Sequence, residues 1–326
     1  MQLFGKILGR ALICTILVLA AIWVFAPDEP FDREIAFQDI ALPDDLDIWL
    51  QKSEQQYSDI IPGAAKRIQW AGVKGAKTPL SVIYLHGFSA SAEEIRPVPD
   101  EVAKALGANL FYTRLAGHGR GSAAMGTAVS GDWFEDMAEA MAIGRRLGDR
   151  VLVISTSTGA TLAAMAAADP DLSRNLAGVV LISPNFGLYS TGARVLDLPL
   201  ARWWAPLVVG PIRSFTPLND AQGKYWTTSY PTTALFPMAA LVRAAKATDY
   251  STAKAPALIL YSPQDQVIDP TAIPPFAARW GGPVQLEPRQ MQAGDDPLSH
   301  VIAGDVMSPG QTEPVIDLIV QWARGL

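Results

Sequence analysis

Three residues in this chain have the types and the order that nucleophilic attack on a carbonyl requires. Ser157 is the centre of Ser155-Thr156-Ser157-Thr158-Gly159, directly after the apolar run VLVI and directly before TGATLAAMAAA. A serine between a strand and a helix, with small neighbours, fits a sharp turn that lifts its hydroxyl clear of the sheet. The usual form is G-x-S-x-G. Here Ser155 replaces the first glycine, keeping the small size but not the full backbone freedom. A serine nucleophile needs a base to take its proton and an acid to orient that base. In the chain order Ser, Asp, His the base comes last, and of His86, His118 and His300 only His300 lies there, in Asp296-Pro297-Leu298-Ser299-His300. The expected acid is Asp265 in Tyr261-Ser262-Pro263-Gln264-Asp265, at the end of another strand. Asp269, four residues on and further from the strand end, is its rival.

A fourth element completes that chemistry. His86-Gly87-Phe88 follows the strand-like run LSVIYL. An oxyanion needs two converging backbone N–H groups, one from the residue after the nucleophile and one from the loop after an earlier strand. These are Thr158 and Phe88, with Gly87 permitting close approach and the His86 side chain tying the loop together. Asp295 and Asp296 read as solvated charges that could also shape the His300 loop. Leu115-Ala116-Gly117-His118-Gly119-Arg120-Gly121 is a structural turn, because Ser122 stands where a dinucleotide fingerprint wants its last glycine. Ser251-Thr252-Ala253-Lys254 matches S-x-x-K by chance, since its companion S-D-N and K-T-G motifs are absent. No P-loop, EF-hand or HExxH motif occurs.

The elements that must position these residues alternate strand and helix from about Lys66 onward. Strands are expected at Arg67–Ala71, Leu80–Leu85, Asn109–Arg114, Arg150–Ile154, Ala177–Ile182, Ala257–Tyr261 and Val284–Glu287. Several are continuous apolar runs, the mark of strands buried on both faces of a parallel sheet. Helices are expected at Ser91–Leu106, Asp132–Leu147, Thr158–Ala168 and Glu313–Arg324. The rhythm implies an α/β fold with a mostly parallel sheet covered by helices on both faces. It breaks at about 185–255, a stretch rich in Trp, Pro and Tyr that includes Trp203, Trp204, Trp226 and Tyr230, read as a lid inserted over the sheet's carboxyl edge. Upstream, 28–65 is a connector with one helix over Asp44–Ser58, ended by Pro62-Gly63.

The whole chain has 326 residues, 49% of them hydrophobic, and a net charge of −6, so it can build a large core and offers no basic face for nucleic acid. Its one cysteine, Cys14, excludes internal disulfides, cysteine-based zinc sites and a cysteine nucleophile in the main domain. Residues 1–27 are expected to anchor the chain. Ala11–Ala26 is uncharged, Lys6 and Arg10 precede it, Asp28 and Glu29 follow, and the Phe4–Gly9 flank brings the run near the roughly 20 residues of a spanning helix. The basic side would stay cytoplasmic, placing 66–326 on the extracytoplasmic side. A cleaved signal segment, leaving the protein secreted, is the alternative, although its candidate site Val24-Phe25-Ala26 is followed by Pro27. A helix buried in the domain is a third reading. Lipidation of Cys14 would need small residues before it, which Ile13 is not.

The set HGF, RLAGHGRG, STSTG, SPQD and the late histidine resembles the α/β-hydrolase superfamily, and within it the monoacylglycerol lipase, carboxylesterase and serine aminopeptidase group. The resemblance covers about Lys66 to Leu326 and implies an α/β-hydrolase fold, a serine hydrolase without cofactor or metal, and an acyl-enzyme on Ser157. The aromatic lid and the expected anchor point to esters of apolar acyl groups or lipid-like molecules. An aminopeptidase or amidase would use the same triad with a lid acid such as Asp220 or Asp249 reading the amine, and a non-catalytic binder on this fold is the other alternative. A haloalkane-type hydrolase would need Asp where Ser157 stands.

Overall fold

The computed structural model describes residues 2–26, 29–37, 39 and 42–326. Its elements, in chain order, are α1 (Gln2–Phe25), α2 (Leu46–Glu54), β1 (Arg67–Gln69), β2 (Thr78–Leu85), α3 (Val98–Leu106), β3 (Asn109–Tyr112), α4 (Ser122–Met125), α5 (Ser130–Leu147), β4 (Gly148–Thr156), α6 (Thr158–Ala168) and β5 (Leu176–Ile182). After β5 come α7 (Ala201–Val209), β6 (Ile212–Ser214), α8 (Asp220–Tyr225), β7 (Ser229–Pro231) and α9 (Leu235–Ala247). The chain then returns to the main sheet with β8 (Ala257–Tyr261), α10 (Ile273–Ala277), β9 (Val284–Pro288) and α11 (Pro309–Ala323). Seven strands form the main sheet in the order β1-β3-β2-β4-β5-β8-β9, all parallel except β1 against β3.

The apolar runs explain this sheet, because side chains alternate between its faces. Ile83 and Leu85 of β2, Val151 and Val153 of β4, and Val179 and Leu181 of β5 pack with α5, α6 and α9. Val82 and Tyr84, Leu152 and Ile154, and Val180 and Ile182 point the other way, toward α3 and α11. Register aligns the carboxyl ends: Leu85 pairs with Ser155, and Thr156 pairs with Ile182. The loops leaving β2, β4, β5 and β8 therefore start at one edge, where open α/β sheets place their ligands. Between β5 and β8 the inserted region resembles a lid, with a small antiparallel pair, β6 and β7, beside α7 to α9.

Some boundaries differ from the sequence reading. The helix expected from Ser91 begins only at Val98. Pro97 lacks an N–H and disfavours a helical Arg96, so Ser91 to Pro97 runs as turns. Helix α2 starts at Leu46, where the Asp45 side chain accepts the Ile48 N–H, rather than at Asp44.

The connector is tied to the body. Leu42, Leu46 and Leu50 join the main core. Glu54 accepts two hydrogen bonds from buried Arg114, at 2.7 and 2.8 Å. Burial opposes the Glu54 charge, yet Arg114 holds its carboxyl below the ordinary value. Lys66 bridges Asp136 and Glu139 nearby.

The expectation for the N-terminus is corrected. Among the described residues no helix is long and apolar enough to cross a membrane. Lys6 and Arg10 lie inside α1. The uncharged run from Ala11 to Ala26 rises only about 24 Å at 1.5 Å per residue, against a hydrocarbon core of about 30 Å. The single-helix anchor, the membrane as a partner and the extracytoplasmic placement read from it are therefore withdrawn. Pro27 and Asp28, at the expected boundary with the connector, lie outside the described residues.

Candidate active site

Ser157 sits where β4 ends and α6 begins, with φ 53° and ψ −116°, a conformation costly for a residue with a Cβ. Its surroundings hold it there. Its N–H donates to the Ile182 carbonyl at 2.8 Å, and its carbonyl accepts the Thr161 N–H at 3.0 Å. The helix behind can approach because residue 159 is glycine: a Cβ there would lie 2.4 Å from the Leu85 carbonyl oxygen and 2.6 Å from that of His86. Ser155, in place of the usual glycine, is fully buried and donates its hydroxyl to the Val180 carbonyl at 2.9 Å.

The loops after β8 and β9 bring the partners. His300 Nε2 lies 3.0 Å from Ser157 Oγ, and His300 Nδ1 lies 2.7 Å from Asp265 Oδ2. The carboxylate at Nδ1 fixes the tautomer with the proton on that nitrogen, leaving Nε2 to accept from Ser157. Asp265 is 1% exposed, and its Oδ1 accepts the N–H groups of Val267 at 2.8 Å and Ile268 at 2.9 Å. Asp269, the rival, accepts from Thr271 and caps a short turn. Burial works against a charged His300, but Asp265 at contact distance, together with Asp296 and Glu94 nearby, outweighs it and raises the imidazole above its ordinary 6.5. The set has the arrangement of a Ser-His-Asp catalytic triad typical of serine hydrolases acting on esters.

Asp295 and Asp296 are not solvated charges. Asp296 is 3% exposed and accepts the N–H groups of Leu298, His300 and Val301, bending the loop that presents the imidazole. Asp295 ties that loop to α11 through the Gly310 N–H. Ser183 Oγ donates to the His300 carbonyl at 2.7 Å. His86 is fully buried, with Nδ1 donating to the Gly87 carbonyl and Nε2 accepting the Leu115 N–H, which pins the loop as its sequence position suggested. His118 donates from Nδ1 to the Ala116 carbonyl and packs edge-on against Trp133. Burial pushes its pKa down to about 4.

A cavity of about 510 Å³ opens above the triad, lined by Phe88, Leu188, Phe215, Trp226, Met238 and Met307 among others. Phe88 and Thr158 both line it, and no acceptor among the described residues takes either N–H. Asp220 and Asp249 are exposed and stand outside its lining. Two acids do line it, Asp296 of the His300 loop and Glu94, the second of which the sequence analysis does not single out. Nothing local marks Glu94, because its burial depends on the path of the whole loop after β2. Among the described residues no group of three or more His, Cys, Asp or Glu is placed to hold a metal ion.

Comparison with known proteins agrees with this geometry. A family described as "Alpha/beta hydrolase family" matches residues 82–304. A solved structure of the metagenome-derived lipolytic enzymes LipS and LipT superposes with a TM-score of 0.65 at 21% identity, covering 82% of this chain and 100% of that one. A soluble variant of monoglyceride lipase from Saccharomyces cerevisiae, in complex with a substrate analog, gives a TM-score of 0.59 at 14% identity, covering 80% of this chain and 91% of that one. Monoacylglycerol lipase from Paleococcus ferrophilus gives 0.56 at 14% identity, covering 80% and 98%. At these identities the likeness is one of fold. No curated protein matches the chain.

Proposed function

We propose that this chain, which belongs to the alpha/beta hydrolase family, is an esterase that cleaves carboxylic esters of apolar acyl groups, with Ser157 as nucleophile, His300 as general base and Asp265 as the acid that orients it. The observation that carries the reading is the pair of contacts at 3.0 and 2.7 Å linking Ser157, His300 and Asp265 beneath an apolar cavity. In this reading 66–326 is the catalytic unit, the lid spans about 185–255, and 28–65 is a connector that Leu42, Leu46 and Leu50 join to the unit's core.

Ser157 Oγ attacks the ester carbonyl while its proton passes to His300 Nε2. The carbonyl oxygen, now negative, receives hydrogen bonds from the N–H groups of Phe88 and Thr158, each worth about 3–4 kcal/mol to the transition state. Asp265 stabilises the imidazolium. Collapse breaks the C–O bond, and the alcohol leaves with the proton from Nε2. Water then gives a proton to His300, attacks the acyl-enzyme and releases the acid, returning the proton to Ser157. The lipolytic and monoacylglycerol-cleaving names of the similar structures favour an ester over an amide. The exposed positions of Asp220 and Asp249 deprive an aminopeptidase of the amine-binding acids first considered.

A volume of about 510 Å³ suits a small-molecule guest and favours medium-length acyl chains. Hydrolysis of p-nitrophenyl acetate, butyrate, octanoate and palmitate tests this. We expect kcat/KM to peak at butyrate or octanoate. A steady fall from acetate onward would refute the apolar acyl site.

A further inference from the structure

Glycine at position 87 is a weak point in the loop that carries the Phe88 N–H. With no Cβ, its φ and ψ are cheap to change, and a turn about either would swing that N–H away from the reacting carbon. The two peptide planes flanking Gly87 are nevertheless pinned from opposite sides. The Gly87 carbonyl, in the same plane as the Phe88 N–H, accepts from His86 Nδ1 at 2.9 Å and from the Ala90 N–H at 3.3 Å. The Gly87 N–H, in the preceding plane, donates to Glu94 Oε2 at 2.7 Å.

Glu94 is itself held. The same Oε2 accepts the Tyr84 hydroxyl at 2.9 Å, and that hydroxyl lies 3.3 Å from Thr156 Oγ1 at the end of β4. The carboxyl is 2% exposed, yet it lines the catalytic cavity. A Cβ built on Gly87 would meet Glu94 Oε1 at 2.7 Å and Ser157 Cβ at 3.1 Å, so carboxyl, glycine and nucleophile crowd one point. We propose that Glu94 is a positioning residue of the reaction: clamped to Tyr84, it locks the peptide before Gly87 so that the Phe88 N–H stays aimed at the developing oxyanion. This rests on the assignment of Phe88 as an oxyanion donor. Burial, opposed by the Gly87 and Tyr84 donors, raises the carboxyl to about 7. It is therefore partly neutral near neutral pH, and a neutral acceptor suffices for the clamp.

The test compares the full-length wild-type chain with Glu94→Ala and Glu94→Gln on p-nitrophenyl butyrate, alongside the affinity of an alkyl boronic acid, which forms a tetrahedral anion on the serine. Removing an oxyanion donor outright costs about 10²–10³ in kcat, so loosening one should cost Glu94→Ala about 10²-fold in kcat with KM within about twofold. Boronate affinity should fall in parallel with kcat, because both need the donor and ground-state binding does not. Glu94→Gln keeps a carbonyl acceptor and should retain kcat within about fivefold. A folded Glu94→Ala protein with wild-type kcat and boronate affinity would overturn the proposal, as would a loss confined to KM. If Glu94→Ala does not fold, Glu94→Asp, one methylene short of Gly87, carries the same expectation and the same refutation. Wild-type protein labelled at Ser157 by a fluorophosphonate while Glu94→Ala is unimpaired sinks the positioning role alone. Wild-type protein neither labelled nor active sinks the esterase reading with it.

Discussion

Replacing Asp265 by Asn separates orientation of the base from its mere presence. The side chain cannot choose its own direction. The N–H groups of Val267 and Ile268 converge on Oδ1 at 2.8 and 2.9 Å, and only an oxygen can accept them. The amide introduced by Asp265→Asn must therefore keep its oxygen there and turn its NH₂ toward His300 Nδ1, which in the wild-type chain lies 2.7 Å from a carboxylate oxygen. A donor in that place forces Nδ1 to accept and moves the imidazole proton to Nε2. Nε2 then faces Ser157 with a hydrogen where a lone pair is required. The loss expected for a wrong tautomer is about 10⁴-fold in kcat, or about 5.5 kcal/mol of transition-state stabilisation. The fold should survive, because both backbone donors keep their acceptor. Asp265→Ala would instead strand the buried Ile268 N–H, at about 1–3 kcal/mol, and the half-buried Val267 N–H at less. Steady-state hydrolysis of p-nitrophenyl butyrate, with urea unfolding as the control, reads both effects. A folded Asp265→Asn protein within tenfold of the wild-type kcat would refute the tautomer argument and reopen the choice of acid.

Other consequences follow from the same geometry. His300 must be neutral to accept a proton and its pKa is raised by Asp265, so kcat/KM should fall as pH drops through a midpoint above 6.5. Measuring this also in Glu94→Gln removes a neighbouring carboxyl pushed up to about 7 that itself helps raise His300, so the midpoint should drop somewhat there, and a midpoint below 6.5 in the wild-type chain would contradict the ion-pair account. Gly159→Ala puts a Cβ 2.4 Å from a backbone oxygen that cannot yield, and should cost about 3 kcal/mol or more in urea unfolding. A loss below about 1 kcal/mol would show that the helix has slack. Ser155→Ala removes one buried hydroxyl bond, for about 1 kcal/mol of stability, and should leave kcat within a few-fold. An inactive, folded Ser155→Ala protein would count against Ser157 as the nucleophile.

The residues that carry the chemistry are largely visible in the sequence because Ser157 and Asp265 follow closely on apolar runs and His300 is the only histidine after them in the chain. Strands buried on both faces, such as β2, β4 and β5, need such runs. Once they are placed, Ser157, Asp265 and His300 fall on one edge by topology alone. The choice of Asp265 over Asp269 came from nearness to the strand end, and the structure adds the reason: Asp269 is engaged with Thr271. Other features depend on contacts no local pattern encodes. Asp296 reads as a surface acid, and Glu94 carries no local signal at all, until the folded loops supply the N–H groups that make their burial tolerable. Glu54 and Arg114 are 60 residues apart, and nothing near either announces the pair that ties α2 to the body. Helix α3 starts late because Pro97 outweighs an otherwise helical composition. At the N-terminus the uncharged run Ala11–Ala26 is too short by itself to span, and the flank that would lengthen it contains Lys6.

The whole mechanism turns on Ser157 as the nucleophile. The direct measurement is reaction of the folded, full-length chain with a fluorophosphonate, followed by mass spectrometry of the adduct and assay of residual ester hydrolysis. We expect a single adduct on Ser157, activity lost in proportion to labelling, and neither label nor turnover in Ser157→Ala. An adduct on another serine such as Ser155 or Ser89, or hydrolysis that persists in Ser157→Ala, would contradict it.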